Sequence, residues 1–254
     1  GCDIHLHRGN AIDIICGILA EVADTNDFFV QKFHGGEIRN SIPSSAYVEL
    51  AVPLNTLDDF KAAARAAMVR YQDLYADTDP DMHLILGPCQ LQSTALSYTS
   101  SQNLISFLRA LPNGVLKMSS TYAGVVETSC NLSTVRTKPD AINIALLPRS
   151  LKDYGLDDVI DKIDCICSLL DNVEVGFTDR SFGWTSPTDN RLIEILQQQY
   201  EEKCHLTPKI TSIHAGLECG YFAKANPELQ MISLGPTVIS PHSPDECVSI
   251  KHTQ

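Results

Sequence analysis

Apolar residues fall at helical spacing in several stretches of the chain, and short β-prone runs lie between them. After Asn10, the residues Ile12, Ile15, Cys16, Leu19 and Val22 share one face of a predicted helix. Asn10 with Asp13 three residues later resembles a capping box, so the helix starts there. Residues 27–33 read as a short strand, His34-Gly35-Gly36 as a turn, and 47–52 as a second strand. Thr56 and Asp59 predict the next helix start. Its apolar face is Leu57, Phe60, Ala64, Ala67, Met68, Tyr71 and Leu74, and it runs to about Ala76. Residues 90–101 are polar and read as a loop. A third helix over 101–111 is ended by Pro112-Asn113-Gly114. Strands follow at 125–132 and 141–147. A fourth helix over 156–170 is acidic at its start, as the helix dipole favours, and a strand covers 173–177.

Gly183-Trp184 and Ser186-Pro187 then punctuate the chain and predict a domain boundary. Beyond them lie a helix over 190–203, a strand over 209–213 and the hydrophobic strand MISLGP at 231–236. The first domain, residues 1–177, has helices and strands but neither G-x-G-x-x-G nor a P-loop, which gives an α+β layer structure. The second, residues 178–254, reads as a β-α-β return into another domain.

Composition narrows the classes. The chain of 254 residues has 44% hydrophobic and 20% charged residues, as a soluble globular protein does. A net charge of -12 argues against nucleic acid or an anionic membrane as partner, since both need a positive footprint. No apolar run is long enough to span a bilayer; Ile12 to Val22 is broken by Asp13, Gly17 and Glu21. The nine cysteines are odd in number and irregular in spacing, with no C-x-x-C pair, which predicts reduced thiols in a cytoplasmic protein.

Candidate chemistry gathers near the end, from His214 to Glu246. His214-Ala215-Gly216-Leu217-Glu218-Cys219-Gly220 alternates reactive side chains with glycines, which let backbone approach a ligand closely. In Pro241-His242-Ser243-Pro244-Asp245-Glu246, prolines restrict how His242 points, and carboxylates lie just behind it. That suits a metal ligand, although an ordinary surface histidine is the commoner outcome. His5 and His7 form an H-x-H pair on a predicted strand end, but no third ligand is near in sequence, and a polar strand face is the simpler reading. The acidic turn Asp77 to Asp81 lacks the glycine and distal Glu of a calcium loop and reads as solvated. Asn40, after the glycine pair, reads alone as a turn residue bonding its own backbone, and Arg149 as a surface ion pair.

The motifs GGEIRNSIP, LPNGV, GVVETS, HAGLECG and GPTVISPHSPDE together resemble the aminoacyl-histidine dipeptidases, a branch of the two-metal aminoacylase and carboxypeptidase superfamily. The resemblance implies an α+β lid and dimerisation domain followed by the C-terminal portion of an α/β zinc-peptidase catalytic domain. It implies two zinc ions per complete active site, with cobalt or manganese possible, a dipeptide substrate, and a homodimer formed through the lid. It makes His242 a metal ligand, Asn40 a contact near the scissile peptide, and Arg149 the grip on the substrate's C-terminal carboxylate, for which a guanidinium fork is suited. Gly216 would let backbone approach the substrate, and Glu218 would meet its free amino group. The family's H-x-D motif, Glu-Glu pair, general base and lid histidine are not in these residues, so no catalytic residue is expected in this chain. The chain is expected to be a piece of a longer dipeptidase and inactive alone. The alternative is a non-catalytic dimerisation or binding module that keeps the fold.

Overall fold

Asn10 caps the first helix. In the computed structural model, which describes residues 2–90, 92, 94–178, 180–184, 190–212, 216–239 and 245–252, its side-chain oxygen accepts from the backbone N–H groups of Ile12 at 3.0 Å and Asp13 at 3.3 Å. These are donors that a first helical turn leaves open. Helix α1 runs Ala11–Val22 and buries Ile14 and Ile18 together with Ile12, Cys16, Leu19 and Val22 of the predicted stripe, whereas Ile15 is only partly buried. It packs against both α2 (Leu57–Leu74) and α3 (Tyr98–Ala110). The capping box is not completed. Asp13 instead pairs with Arg109 of α3 at 2.5 Å, and Thr56 makes no side-chain cap to α2.

Five antiparallel strands form the sheet: β1 (Phe29–Gly35), β2 (Ala46–Ala51), β3 (Gly114–Met118), β4 (Val126–Thr137) and β5 (Ile142–Ser150). The long strand β4 organises it. β5 pairs along one edge, β3 pairs with the first part of the other edge, and β1 pairs near its end, with β2 outside β1. A bulge at Ser133 interrupts the β4–β5 register between Leu132 and Thr134. It shifts the side-chain phase, so that Leu132 and Val135 both enter the main core with Phe28, Val30 and Phe33. Helix α4 (Asp153–Cys167) packs on β4 and β5, with Val159 and Ile163 around Cys130.

These elements make one compact unit, Gly1–Gly183 with Ser212–Ala215. The other, Trp184–Thr211 with Gly216–Gln254, holds α5 (Arg191–Cys204), α6 (Glu218–Ala225) and a short hairpin of β6 (Val238–Ile239) and β7 (Cys247–Val248). Asn190 caps α5 through Leu192 N–H at 2.9 Å, and its amide nitrogen reaches the carbonyl of Met231 at 2.7 Å.

Several expectations are corrected. Residues Cys2–Leu6 form a 3-10 turn, and His7 has φ 53, so His5 and His7 are not a same-face strand pair. Asp79 of the acidic turn is not merely solvated, since it accepts from Gly9 N–H at 2.8 Å. Gly35 is the last residue of β1 instead of part of a turn. Helices α3 and α4 begin three residues earlier than predicted, and β4 and β5 run further. The stretches 173–177, 209–212 and 231–236 are not strands, because among the described residues no strand pairs with them.

Candidate substrate-binding site

The pleat of β4 sorts its residues onto two faces. Cys130 and Leu132 point toward the helices, as does Thr128, whose hydroxyl lies 2.9 Å from that of Ser150 beside α4. Glu127, Ser129, Asn131 and Ser133 form a polar row on the other side, and all four are buried, at 1%, 3%, 7% and 0% exposure. Buried polar groups require partners. For Asn131 and Ser133 these come from the loop over residues 36–45, and for Glu127 from two lysines.

That loop joins β1 to β2 and closes on itself through Gly36 N–H to the Ser45 carbonyl at 3.1 Å. The Asn131 amide nitrogen donates to the carbonyls of Ser41 at 2.7 Å and Arg39 at 3.3 Å. The Ser133 hydroxyl donates to the Arg39 carbonyl at 2.6 Å. The Arg136 guanidinium donates to the carbonyls of Gly35 and Gly36, and Ala11 N–H to that of Pro43 at 2.9 Å. Gly36 has φ +67, and a Cβ there would sit 1.9 Å from the Ser133 carbonyl oxygen. Only glycine meets both conditions. Asn40 stands between the two clamped carbonyls. Its side chain is partly buried and makes no hydrogen bond among the described residues, so it does not bond its own turn.

Arg149 lies within β5, directly opposite Ser129. It is partly buried and its guanidinium has no ion pair among the described residues. The row on β4 therefore serves both candidates. Asn131 holds the Asn40 loop, and Ser129, roughly 7 Å along the same strand face, is the register partner of Arg149. One step further, Glu127 pairs with Lys117 at 2.7 Å and Lys152 at 3.1 Å, and the Tyr154 ring lies under both ammonium groups, at 5.9 and 5.6 Å. The Lys117 ammonium holds the Glu127 carboxyl below its usual range against the opposing effect of burial, and Lys152 adds to this. Tyr154, and then Glu127, hold Lys152 above its usual value. The sequence reading passed over Glu127, Asn131, Ser133 and Arg136. The available signal was the alternation in Glu127-Thr128-Ser129-Cys130-Asn131-Leu132, which marks a strand with one polar face.

Asn131, which holds the Asn40 loop, and Ser129, the register partner of Arg149, thus lie on one face of β4. Gly216 and Glu218 belong to the other unit, where both are exposed and Glu218 opens α6, a place in which the helix dipole favours an acidic residue. His242 lies outside the described residues, as does His214. Among the described residues no three His, Cys, Asp or Glu side chains converge to hold a metal ion.

Residues 2–79 match the family described as a peptidase dimerisation domain of the M20 type. The cytosol non-specific dipeptidase of Escherichia coli (strain K12) is 34% identical over 251 residues, 99% of this chain and 52% of that protein. The crystal structure of an aminoacylhistidine dipeptidase from Vibrio alginolyticus matches 100% of this chain and 52% of its own at a TM-score of 0.89 and 34% identity. Residues 2–79 thus carry an M20 peptidase dimerisation domain, and the chain as a whole is similar to these two dipeptidases. It spans about half the length of these M20 relatives. Its fold is mixed α/β with the M20 dimerisation domain, and the matched residues include α1, β1, the Asn40 loop, β2 and α2. Among its described residues, no helix is long and apolar enough to cross a membrane. The metal that M20 dipeptidases typically use has no ligand cluster among those residues.

Proposed function

We propose that this chain is part of a metal-dependent dipeptidase that hydrolyses Xaa-His dipeptides among its substrates, and that it supplies the lid and the substrate-binding face. The observation that carries this reading is the pair Asn40 and Arg149. Both polar heads lack partners among the described residues, and both are set over the one polar row of β4. Unpaired polar groups held in place by a rigid surround are suited to ligand binding. Arg149 receives the substrate's terminal carboxylate through its fork of donors, and the Asn40 amide meets the scissile peptide. Gly216, Glu218 and His242 complete the assignment from residues 178–254, with Gly216 as backbone contact, Glu218 facing the amino terminus and His242 on the metal. Residues 1–177 form the lid, through which the protein forms a homodimer in the cytoplasm. The cofactor is a pair of zinc ions, replaceable by cobalt or manganese. On this reading the chain is inactive by itself.

The test is histidine release from a Xaa-His dipeptide by the whole protein, with and without a chelator. Chelator-sensitive release, with a raised KM for Arg149→Met, supports the reading. No release from folded, zinc-supplied protein overturns it in favour of a non-catalytic dimer.

A further inference from the structure

Glu127 and Arg149 are diagonal neighbours on the polar face of the sheet. The register pairs Ser129 with Arg149 and Thr128 with Ser150, and Leu151 N–H donates to the Glu127 carbonyl at 2.8 Å, so Glu127 stands opposite Leu151, two positions from Arg149. Diagonal positions of this kind lie about 7–8 Å apart, within reach of a long side chain. A carboxylate and a guanidinium so placed should pair bidentately, which is among the strongest polar contacts available. They do not. Glu127 is 1% exposed and its two oxygens are taken by Lys117 from the β3 side and Lys152 from beyond the end of β5. Both lysines rest over the Tyr154 ring, which holds them there. Arg149 is left without an ion pair among the described residues.

We propose that Lys117, Lys152 and Glu127 form a charge-saturated cluster that positions Arg149, keeping its guanidinium off Glu127 and free for the substrate carboxylate. The cluster does not touch substrate. It acts through Arg149, and in this respect it rests on the reading of Arg149 given above. Glu127 without its lysines would be the better-placed partner for Arg149, since it is permanently present and already buried. Lys152 matters most, because it approaches Glu127 from just past the end of the strand that carries Arg149.

The experiment uses the whole protein and two substrates, a dipeptide and its C-terminal amide, and compares Lys152→Met, Lys152→Met with Glu127→Gln, and Arg149→Met. Lys152→Met leaves Lys117 on Glu127, so the carboxylate is not stranded. The expected result is a KM for the dipeptide raised about ten- to a hundredfold, the loss of one charged contact, with kcat and the amide kinetics unchanged. Adding Glu127→Gln restores the dipeptide KM. A folded Lys152→Met protein with an unchanged KM, or a failure of Glu127→Gln to restore it, overturns the proposal. If Arg149→Met itself does not discriminate the dipeptide from its amide, the carboxylate assignment is what fails. The cluster is then decided by a crystal structure of Lys152→Met. An ion pair between Arg149 and Glu127 supports the proposal, and an unmoved Arg149 sinks it.

Discussion

The side-chain nitrogen of Asn131 donates to the backbone oxygen of Ser41 at 2.7 Å, joining positions 90 residues apart. The same nitrogen reaches the Arg39 carbonyl, so a single amide fixes the backbone on both sides of Asn40. Asn131→Ala leaves the Ser41 carbonyl without this donor while Ser133 still holds Arg39. The expected outcome is a loss of about 1–3 kcal/mol of stability and a lower kcat/KM for dipeptides in the whole protein, because Asn40 is no longer fixed. Denaturant midpoints and steady-state kinetics check both parts. Full activity in a destabilised Asn131→Ala protein would separate the loop from substrate binding.

Two glycines with positive φ differ in one respect. Gly36 (φ +67) is crowded by the Ser133 carbonyl, whereas Gly114 (φ +88) has nothing within 4 Å of an added Cβ. Gly114→Ala meets only the left-handed backbone cost, about 1 kcal/mol. Gly36→Ala meets that cost and a clash with backbone that must move, for roughly 2–4 kcal/mol in all. Chemical denaturation of the two variants measures the difference. Equal losses would mean that the close approach of Gly36 to Ser133 does not contribute.

Glu127 sets an acid limit. Its folded-state pKa lies below the ordinary carboxylate value, chiefly through Lys117. The stability this shift contributes is fully present above the unfolded pKa and is lost as pH falls through the lower folded value. Thermal melts of the wild type and Glu127→Gln should therefore converge on acidification below about pH 4.5. Melting curves that stay parallel down to about pH 2 would show that the ion pairs add nothing to stability.

The helices were legible because their signals are local. Asn10, the spacing of Phe60, Ala64, Ala67 and Met68, and Asn190 each announce a helix within one or two turns of sequence. Helix α6 gave no such sign: Leu217 makes no side-chain cap and Gly220 lies inside it. Strand β3 was missed because Leu116, Lys117 and Met118 are all exposed, so no alternation of apolar and polar residues marks it. The run Val173–Phe177 has strand-forming residues, yet pairing decides whether a run becomes a strand, and among the described residues no strand pairs with it. Asn40 and Arg149 were singled out by their motifs. What holds them was not. Asn131 and Ser133 act on loop residues 90 and 94 positions away, and Glu127 draws partners from 10 positions before it and 25 after.

Asn10 does more than cap α1. Its amide nitrogen also reaches the Leu132 carbonyl at 2.9 Å and the Asn113 side chain at 3.1 Å, contacts that span 122 and 103 positions. One side chain thus ties the first helix, the central strand and the turn before β3 into a single cooperative unit, and Ala11 adds the far end of the Asn40 loop through Pro43. Fraying of that loop then requires the start of α1 to release as well, so the loop opens only with a larger part of the domain. If this face binds substrate as proposed, it is rigid before the ligand arrives, and binding does not have to order it.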